Sequence, residues 1–199
     1  MQTTLSDDEL LRLMRAGDER AFLELYQGRG GAIYRFALRM SGSEAIAEDV
    51  TQDVFMTLIN DFVRFDSTRG TLTSYLFGIA RNQVLRRIEK DRFLTPIVDD
   101  HTEDNLVSLT DPLSDLTRRE TIDSVRQAVL ALPVHYREVV VLCDLHEMSY
   151  LDAAEALGCA VGTVRSRLHR ARTLLVAKLR PGYRSEDPKT QAGAIRSFV

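Results

Sequence analysis

The 199-residue sequence contains only two cysteines, Cys143 and Cys159, and no apolar stretch that approaches the length of a bilayer span. Two cysteines are too few for a disulfide framework and suit a reducing compartment. The C-x2-H spacing of Cys143 and His146 lacks the second close ligand pair that a zinc site needs, so we expect no metal or other cofactor. The N-terminus lacks the basic and apolar regions of a signal segment, which predicts a cytoplasmic protein without membrane insertion.

An overall positive charge is also missing, because 26 Lys and Arg residues face 29 Asp and Glu residues, a formal net charge of −3. Any nucleic-acid binding must therefore come from segregated charge. Such segregation is present: residues 64–92 form a basic run, residues 99–115 are acidic without Lys or Arg, and the C-terminal part is basic again. The sequence has no phosphate-binding glycine loop, paired catalytic motif or metal spacing, so nothing supports an enzyme.

Residues 149–175 have the pattern of a helix-turn-helix. Ser149 can cap a short helix with apolar residues at helical spacing, and Gly158 suits the turn because glycine adopts a positive φ without penalty. A second apolar stripe follows, and no acidic residue lies between Val161 and Arg180. Basic side chains there could contact phosphates while others reach base edges. A helix pair with a glycine turn is also common in domains that bind no nucleic acid.

Four helices are predicted in the first 94 residues. Ser6 and Glu9 form the pattern of a capping box, Asp18 caps a second helix, and the glycine-rich residues 28–31 predict a bend or break in it. Ser43 caps a third helix to about residue 62. It has an acidic and amide face, which either solubilises the helix or docks a basic partner. The fourth helix, from Thr71 to about residue 92, presents aromatic, amide and basic side chains that suit single-stranded nucleic acid or a solvated surface.

The second half begins after residues 95–111, where a proline, clustered acids and the absence of periodicity indicate a linker. Asp111 and Pro112 restart the helical pattern, and residues 134–145 form an apolar run that we interpret as a buried helix rather than a strand. The resulting division is a helical domain at 1–94, the linker, a second helical domain at 112–180, and a tail at 181–199 that should be mobile unless a partner orders it.

The order and spacing of several motifs resemble those of the extracytoplasmic function (ECF, group IV) sigma factors of the sigma-70 family, from about residue 7 to residue 179. The first half contributes GDERAF at residues 17–22, AEDVTQDVF at 47–55 and YLFGIARN at 75–82. The second half contributes LP at 132–133, REV at 137–139 and VGTVRSRLHRAR at 161–172.

This resemblance implies an all-α protein with two small helical domains, similar to sigma region 2 and to the helix-turn-helix of sigma region 4. Such a protein binds core RNA polymerase and directs transcription initiation, and an anti-sigma factor usually holds it inactive. The implied polymerase-binding residues are Glu48, Asp49, Gln52, Asp53 and Phe55. The implied contacts to the minus 10 element are Arg69, Tyr75, Arg81, Asn82, Arg86 and Arg87. The implied contacts to the minus 35 element are Thr163, Arg165, Ser166, Arg167, His169, Arg170 and Arg172.

The sequence departs from the family pattern in a few places. Arg86 stands where an acidic residue is frequent, the usual tryptophan near Tyr75 is absent, and Ala160 replaces a frequent proline. The alternative is a DNA-binding regulator that uses only the helix-turn-helix. That alternative leaves the polar faces of the third and fourth helices without a function.

Overall fold

The computed structural model describes residues 5–60, 65, 66, 68, 70–94 and 112–179. These residues form helices and connecting turns, without a strand. The first half contains α1 (Asp7–Arg15), α2 (Glu19–Ser41), α3 (Glu44–Asn60) and α4 (Leu72–Leu94). The second half contains α5 (Pro112–Leu130), α6 (Val134–Val140), a π-helical segment (Val141–Leu145), α7 (Tyr150–Leu157) and α8 (Val161–Leu179). The predicted linker and tail lie outside the described residues.

The predicted helix starts are confirmed by their capping hydrogen bonds. The Glu9 amide donates to the Ser6 hydroxyl at 3.3 Å, and the Ser6 amide donates to the Glu9 carboxylate at 3.0 Å, which completes the capping box. The Ser6 amide and the Ser6 hydroxyl both donate to the Glu9 carboxylate, which favours its charged form and lowers its pKa. Asp18 accepts a hydrogen bond from the Arg20 amide at 2.9 Å, and Ser43 accepts one from the Ile46 amide at 3.3 Å.

The predicted bend or break at residues 28–31 is wrong, because α2 runs without interruption through all three glycines. Each glycine costs a helix interior about 1 kcal/mol relative to alanine. Leu25, Ile33 and Phe36 on the same helix are at most 1% exposed and pack into the core. Burying such side chains contributes about 1.5–3 kcal/mol each, which exceeds the loss from the glycines.

The core of the first half lies between α2, α3 and α4, with α1 packed on α2. Thr51 is buried in it, and its hydroxyl donates to the Ala47 carbonyl at 2.7 Å, so this buried hydroxyl has a hydrogen-bond partner. Ile59 on α3, and Ile122 and Val125 on α5, are exposed although each continues the apolar pattern of its helix.

The interpretation of residues 134–145 as a buried helix is confirmed, although its last five residues widen into the π-helical segment. The side chains from Val139 to Leu142 are at most 2% exposed. This segment packs against α2 and α8. It ends at His146, whose ring lies 5.1 Å from that of Phe77 and 6.2 Å from that of Phe36, so both halves contribute to one continuous apolar cluster.

Candidate polymerase and nucleic-acid interfaces

The acidic and amide face of α3 borders an aromatic groove between α2 and α3. Glu48, Asp49 and Gln52 are exposed, as predicted for a docking surface. The groove has a volume of about 520 Å³. Its lining residues include Phe22, Tyr26, Tyr34, Arg35, Glu48, Gln52, Phe55 and Met56. The charged groups of this lining are the Glu48 carboxylate and the Arg35 guanidinium, so the groove can hold a partner through both charge and apolar contact.

Phe55 forms part of the groove floor rather than of the exposed surface. It is 2% exposed, and its ring lies 4.8 Å from that of Tyr26 and 6.2 Å from that of Phe22. Tyr26 and Met56 are 42% and 49% exposed beside it. The apolar contact area available to a partner therefore comes mainly from Tyr26 and Met56, which the sequence motifs did not single out.

Asp53 is only partly available, because it pairs with Arg87 of α4. The guanidinium donates to the Asp53 carboxylate at 2.6 Å and to the Gln83 amide oxygen at 3.2 Å. Asp53 was predicted for polymerase binding and Arg87 for the minus 10 element. The structure thus joins a residue of each predicted surface in one ion pair on the side where α3 meets α4.

The α4 surface divides into an exposed and a covered part. Asn82 and Arg86 are exposed, and Tyr75 is half-buried with its ring 5.5 Å from that of Phe65. The prediction that Arg81 faces outward is wrong: its side chain is 24% exposed, and its Nε donates to the carboxylate of Glu138 on α6 at 2.6 Å. Arg69 lies outside the described residues.

The helix-turn-helix is formed by α7 and α8. Ser149 accepts a hydrogen bond from the Asp152 amide at 3.1 Å, and Gly158 has a φ of +62°, so both the predicted cap and the predicted turn are confirmed. Val164 and Leu168 hold α8 in the core, being at most 2% exposed.

The outward side of α8 contains the predicted minus 35 residues. Arg165, Ser166, His169, Arg170 and Arg172 are exposed, and Thr163 and Arg167 are half-buried. The Arg165 guanidinium lies 5.9 Å from the centre of the Tyr150 ring. Arg172 forms two hydrogen bonds to Asp144, at 2.5 and 3.1 Å, which raise the pKa of its guanidinium. The α8 sequence contains no acid, but the fold brings one to Arg172.

A contact surface between the halves was not recognised in the sequence. It is formed by α7 and by Glu138 on one side, and by α4 with Gly70 and Thr71 on the other. The hydroxyls of Thr71 and Ser74 each donate to one Asp152 oxygen at 3.3 Å. We call this the α4–α7 interface. In the sequence, Glu138 could have indicated this interface, because it is a carboxylate directly before the apolar residues 139–142.

Further hydrogen bonds join α2 to the second half. Arg39 donates to the Leu145 carbonyl at 3.1 Å, and Arg137 donates to the Met40 carbonyl. Arg39 carries a lowered pKa because burial and the neighbouring Arg35 and Arg126 disfavour its charge.

Cys143 is half-buried near Asp144, and burial raises the pKa of its thiol to about 11, which disfavours the thiolate needed for metal binding or nucleophilic chemistry.

These surfaces define an all-helical protein of the sigma-70 type. Residues 25–93, which include the α3 and α4 faces, match the family described as Sigma-70 region 2, and residues 122–175, which include the helix-turn-helix, match Sigma-70, region 4. No helix within the described ranges is long and apolar enough to cross a membrane.

Curated relatives make the assignment more specific. The chain is 31% identical over 188 residues to the ECF RNA polymerase sigma factor SigW of Bacillus subtilis (strain 168), covering 85% of this chain and 95% of that protein. It is 32% identical over 179 residues to the ECF RNA polymerase sigma factor SigM of Mycobacterium tuberculosis (strain ATCC 25618 / H37Rv), covering 87% of this chain and 85% of that protein. The chain belongs to the ECF sigma factors of the sigma-70 family.

Solved structures of similar fold come from complexes. CnrH in complex with the cytosolic domain of CnrY matches with a TM-score of 0.67 and 26% identity, over 89% of this chain and 99% of that one. The sigma factor RpoE of Bartonella quintana, in complex with the anti-sigma factor NepR, matches with a TM-score of 0.63 and 26% identity, over 81% of this chain and 98% of that one.

Proposed function

We propose that this protein is a promoter-specificity subunit that binds core RNA polymerase and directs initiation through separate contacts to the minus 10 and minus 35 elements. The observation that carries the proposal is the combination, in one chain, of an exposed acidic α3 face, a basic and amide α4 face and a basic recognition helix. A regulator that used only its helix-turn-helix would have no use for the first two surfaces.

In this proposal the α3 face docks on the polymerase. Glu48, Asp49 and Gln52 provide charge and hydrogen-bond acceptors, and Tyr26 and Met56 add apolar contact beside them. Asp53 contributes less, because it already neutralises Arg87. Asn82 and Arg86 on α4 meet the opened minus 10 strand, whose unstacked bases and backbone suit amide and guanidinium groups.

The recognition helix α8 reads duplex DNA. In docked helix-turn-helix proteins the N-terminal part of this helix points into the major groove, so Arg165, Ser166 and Arg167 face base edges. Arg170 and Arg172 lie one to two turns later and meet the backbone. The similarity to a sigma factor solved with an anti-sigma factor supports a corresponding inhibitor that holds this protein inactive until a signal arrives.

Replacement of Asp49 by Lys tests the docking face. We expect the variant to lose competition for core polymerase in a reconstituted holoenzyme, because like charges across an interface are costly, while its helical content is unchanged. Asp123→Lys, which changes another exposed carboxylate, on α5, serves as the control. Equal competition by Asp49→Lys and the parent protein would contradict the assignment of this face.

A further inference from the structure

Tyr150 is a partly exposed aromatic residue at the start of α7, outside the set of side chains proposed to contact DNA. The Ser149 cap fixes the beginning of this helix directly before it, and 38% of Tyr150 is exposed. The guanidinium carbon of Arg165 lies over the Tyr150 ring, 5.9 Å from its centre, which is within the range of a cation–π contact. A residue of α7 thus contacts the first arginine of the recognition helix.

The hydroxyl end of the Tyr150 side chain lies beside Arg172. The hydrogen bonds to Asp144 raise the pKa of the Arg172 guanidinium, and the neighbouring Tyr150 hydroxyl adds to this effect. Arg165 and Arg172 are seven residues apart, so they lie on one side of α8, about 10.5 Å apart along its axis. The Tyr150 side chain therefore lies between the two arginines, with its ring at Arg165 and its hydroxyl at Arg172.

The arginine on the hydroxyl side is itself held in place. Asp144 belongs to the π-helical segment, whose residues Val141 and Leu142 are buried in the core. Arg172 donates to both oxygens of the Asp144 carboxylate, and such a bidentate pair fixes the orientation of a guanidinium better than a single bond does. Tyr150 therefore has an ordered group at its hydroxyl, while its ring lies against the exposed side chain of Arg165.

An arginine that reads a base has to present its guanidinium in one direction. Recognition of guanine uses two parallel hydrogen bonds, to O6 and N7, whereas a phosphate accepts hydrogen bonds from many directions. A free arginine side chain has several rotatable bonds, and the loss of this freedom opposes binding. A ring that holds the guanidinium before the DNA arrives reduces this loss and favours the base contact over a turn towards a phosphate.

We propose that Tyr150 is a positioning residue for sequence recognition, whose ring holds the Arg165 guanidinium in the direction that reads a guanine of the minus 35 element. This inference rests on the proposed role of α8 and of Arg165 in duplex recognition. Tyr150 then influences which duplex is chosen without itself contacting a base.

Such a role differs in its consequences from a purely structural one. A cation–π contact at an exposed site changes an equilibrium by a factor of about two to five. Loss of the ring should therefore lower discrimination at the one base pair that Arg165 reads. A structural residue, or a residue that contacts the DNA backbone, would instead change the affinity for every duplex equally.

The test compares reconstituted holoenzymes on promoter duplexes that differ at single base pairs of the minus 35 element. The guanine whose replacement no longer matters in Arg165→Ala is the one that Arg165 reads. At that position Tyr150→Leu should lower the ratio of the Kd values for the altered and the original duplex by about two- to fivefold. Discrimination at other positions and the salt slope should be unchanged, since no phosphate contact is lost. An equal loss of affinity for every duplex would overturn the inference.

Two variants control for the hydroxyl and for α7 as a whole. Tyr150→Phe keeps the ring and should retain most of the discrimination that Tyr150→Leu loses. Leu151→Ala shortens the next side chain of α7, which is 70% exposed, and should match the parent protein. A loss in either control as large as that in Tyr150→Leu would contradict positioning by the ring.

A double-mutant cycle shows whether Tyr150 acts through Arg165. In the Arg165→Ala background, Tyr150→Leu should have no further effect on the ratio of Kd values, because the residue that it positions is gone. A further loss of discrimination in the double variant would mean that Tyr150 reads the duplex independently, which contradicts a positioning role.

The same duplexes distinguish the failure of this inference from the failure of the proposed function. If Arg165→Ala leaves discrimination unaltered at every position, the base-reading role of Arg165 fails, and positioning by Tyr150 fails with it. If Arg165→Ala removes discrimination at one position and Tyr150→Leu leaves it intact there, the role of Arg165 stands and only positioning by Tyr150 is refuted.

Discussion

Individual charged residues of this protein find partners that their own helices do not supply. Arg172 pairs with Asp144 and Arg87 with Asp53, in each case across two elements. Both pairs are partly exposed, so each contributes little to stability, on the order of 1 kcal/mol or less. In the proposed function their larger effect would be on DNA binding, because a neutralised arginine is a weaker contact for phosphate than a free one.

This pairing predicts unequal effects along α8. Arg170→Ala should flatten the salt dependence of duplex binding by about one unit, and Arg172→Ala by less, because Asp144 already neutralises Arg172. Arg165→Ala should instead reduce discrimination between duplexes, by about 1–3 kcal/mol if its contact is bidentate to guanine. Titrations of minus 35 duplexes at several salt concentrations measure both quantities. An effect of Arg165→Ala on the salt slope alone would show that it only positions the helix.

The imidazole of His146 gives a second prediction at this scale. Burial, with Arg39 and Arg35 nearby, lowers its pKa to about 4, and its Nε2 has no hydrogen-bond partner among the described residues. An unfolded chain takes up this proton near pH 6.5, whereas the folded protein resists protonation until about pH 4. The contribution of His146 to the free energy of unfolding should therefore fall as the pH drops through this window.

Urea unfolding of His146→Leu at several pH values measures this contribution. The variant should lose less stability than the parent protein between pH 6.5 and 4, and His169→Leu, at an exposed position, should follow the parent protein. Parallel pH profiles of the parent and His146→Leu would show that His146 is protonated equally in both states.

At the scale of elements, glycine has two different effects on this chain. Gly158 ends α7 in a left-handed conformation, with φ of +62° and nothing within 4 Å of a Cβ. Gly28 lies exposed inside α2, also with nothing within 4 Å, but with helical geometry. Local sequence marks both as possible helix ends, and only the packing of the flanking residues separates them.

Alanine at these two positions should therefore have opposite effects on stability. Gly158→Ala should destabilise the protein by about 1–2 kcal/mol, because the Cβ of alanine makes the left-handed backbone conformation unfavourable. Gly28→Ala should stabilise by about 0.5–1 kcal/mol, because alanine loses less chain entropy in a helix. Chemical denaturation measures both changes, and a shift of the same sign in the two variants would contradict this account.

At the scale of the whole molecule, the two halves share a continuous core. Phe36 and Phe77 of the first half enclose His146 of the second, and α7 packs closely on α4 at Gly78. Because both halves contribute to this packing, neither keeps its full buried surface when they separate. We expect the parent protein to unfold in a single cooperative transition.

Gly78→Phe should separate the halves, because the new ring would meet the Ala156 backbone. We expect a larger radius of gyration in solution scattering and two thermal transitions in place of one, with helical content largely unchanged. Gly28→Phe places the same ring at an exposed position and should leave both measurements as in the parent protein. An unchanged radius for Gly78→Phe would show that the halves do not depend on this contact.

The sequence determined the local features of the protein. The caps at Ser6, Asp18 and Ser149, the turn at Gly158 and the helical class follow from hydrogen bonds and φ angles within a few residues, so residue type and spacing predict them. The exposed positions of Glu48, Asp49 and Asn82 follow from helical periodicity for the same reason. The family, too, was identified from ordered local motifs.

Tertiary structure decided everything that depends on partners distant in the chain. It kept α2 continuous through its glycines, paired Arg81 with Glu138, 57 positions later, and brought Asp144 to Arg172. Helical periodicity says which side of a helix is apolar, but not which helix covers a given part of its surface. Arg81 and Asn82 are neighbours on α4, and only the packing of the second half makes one an internal ion-pair partner and leaves the other exposed.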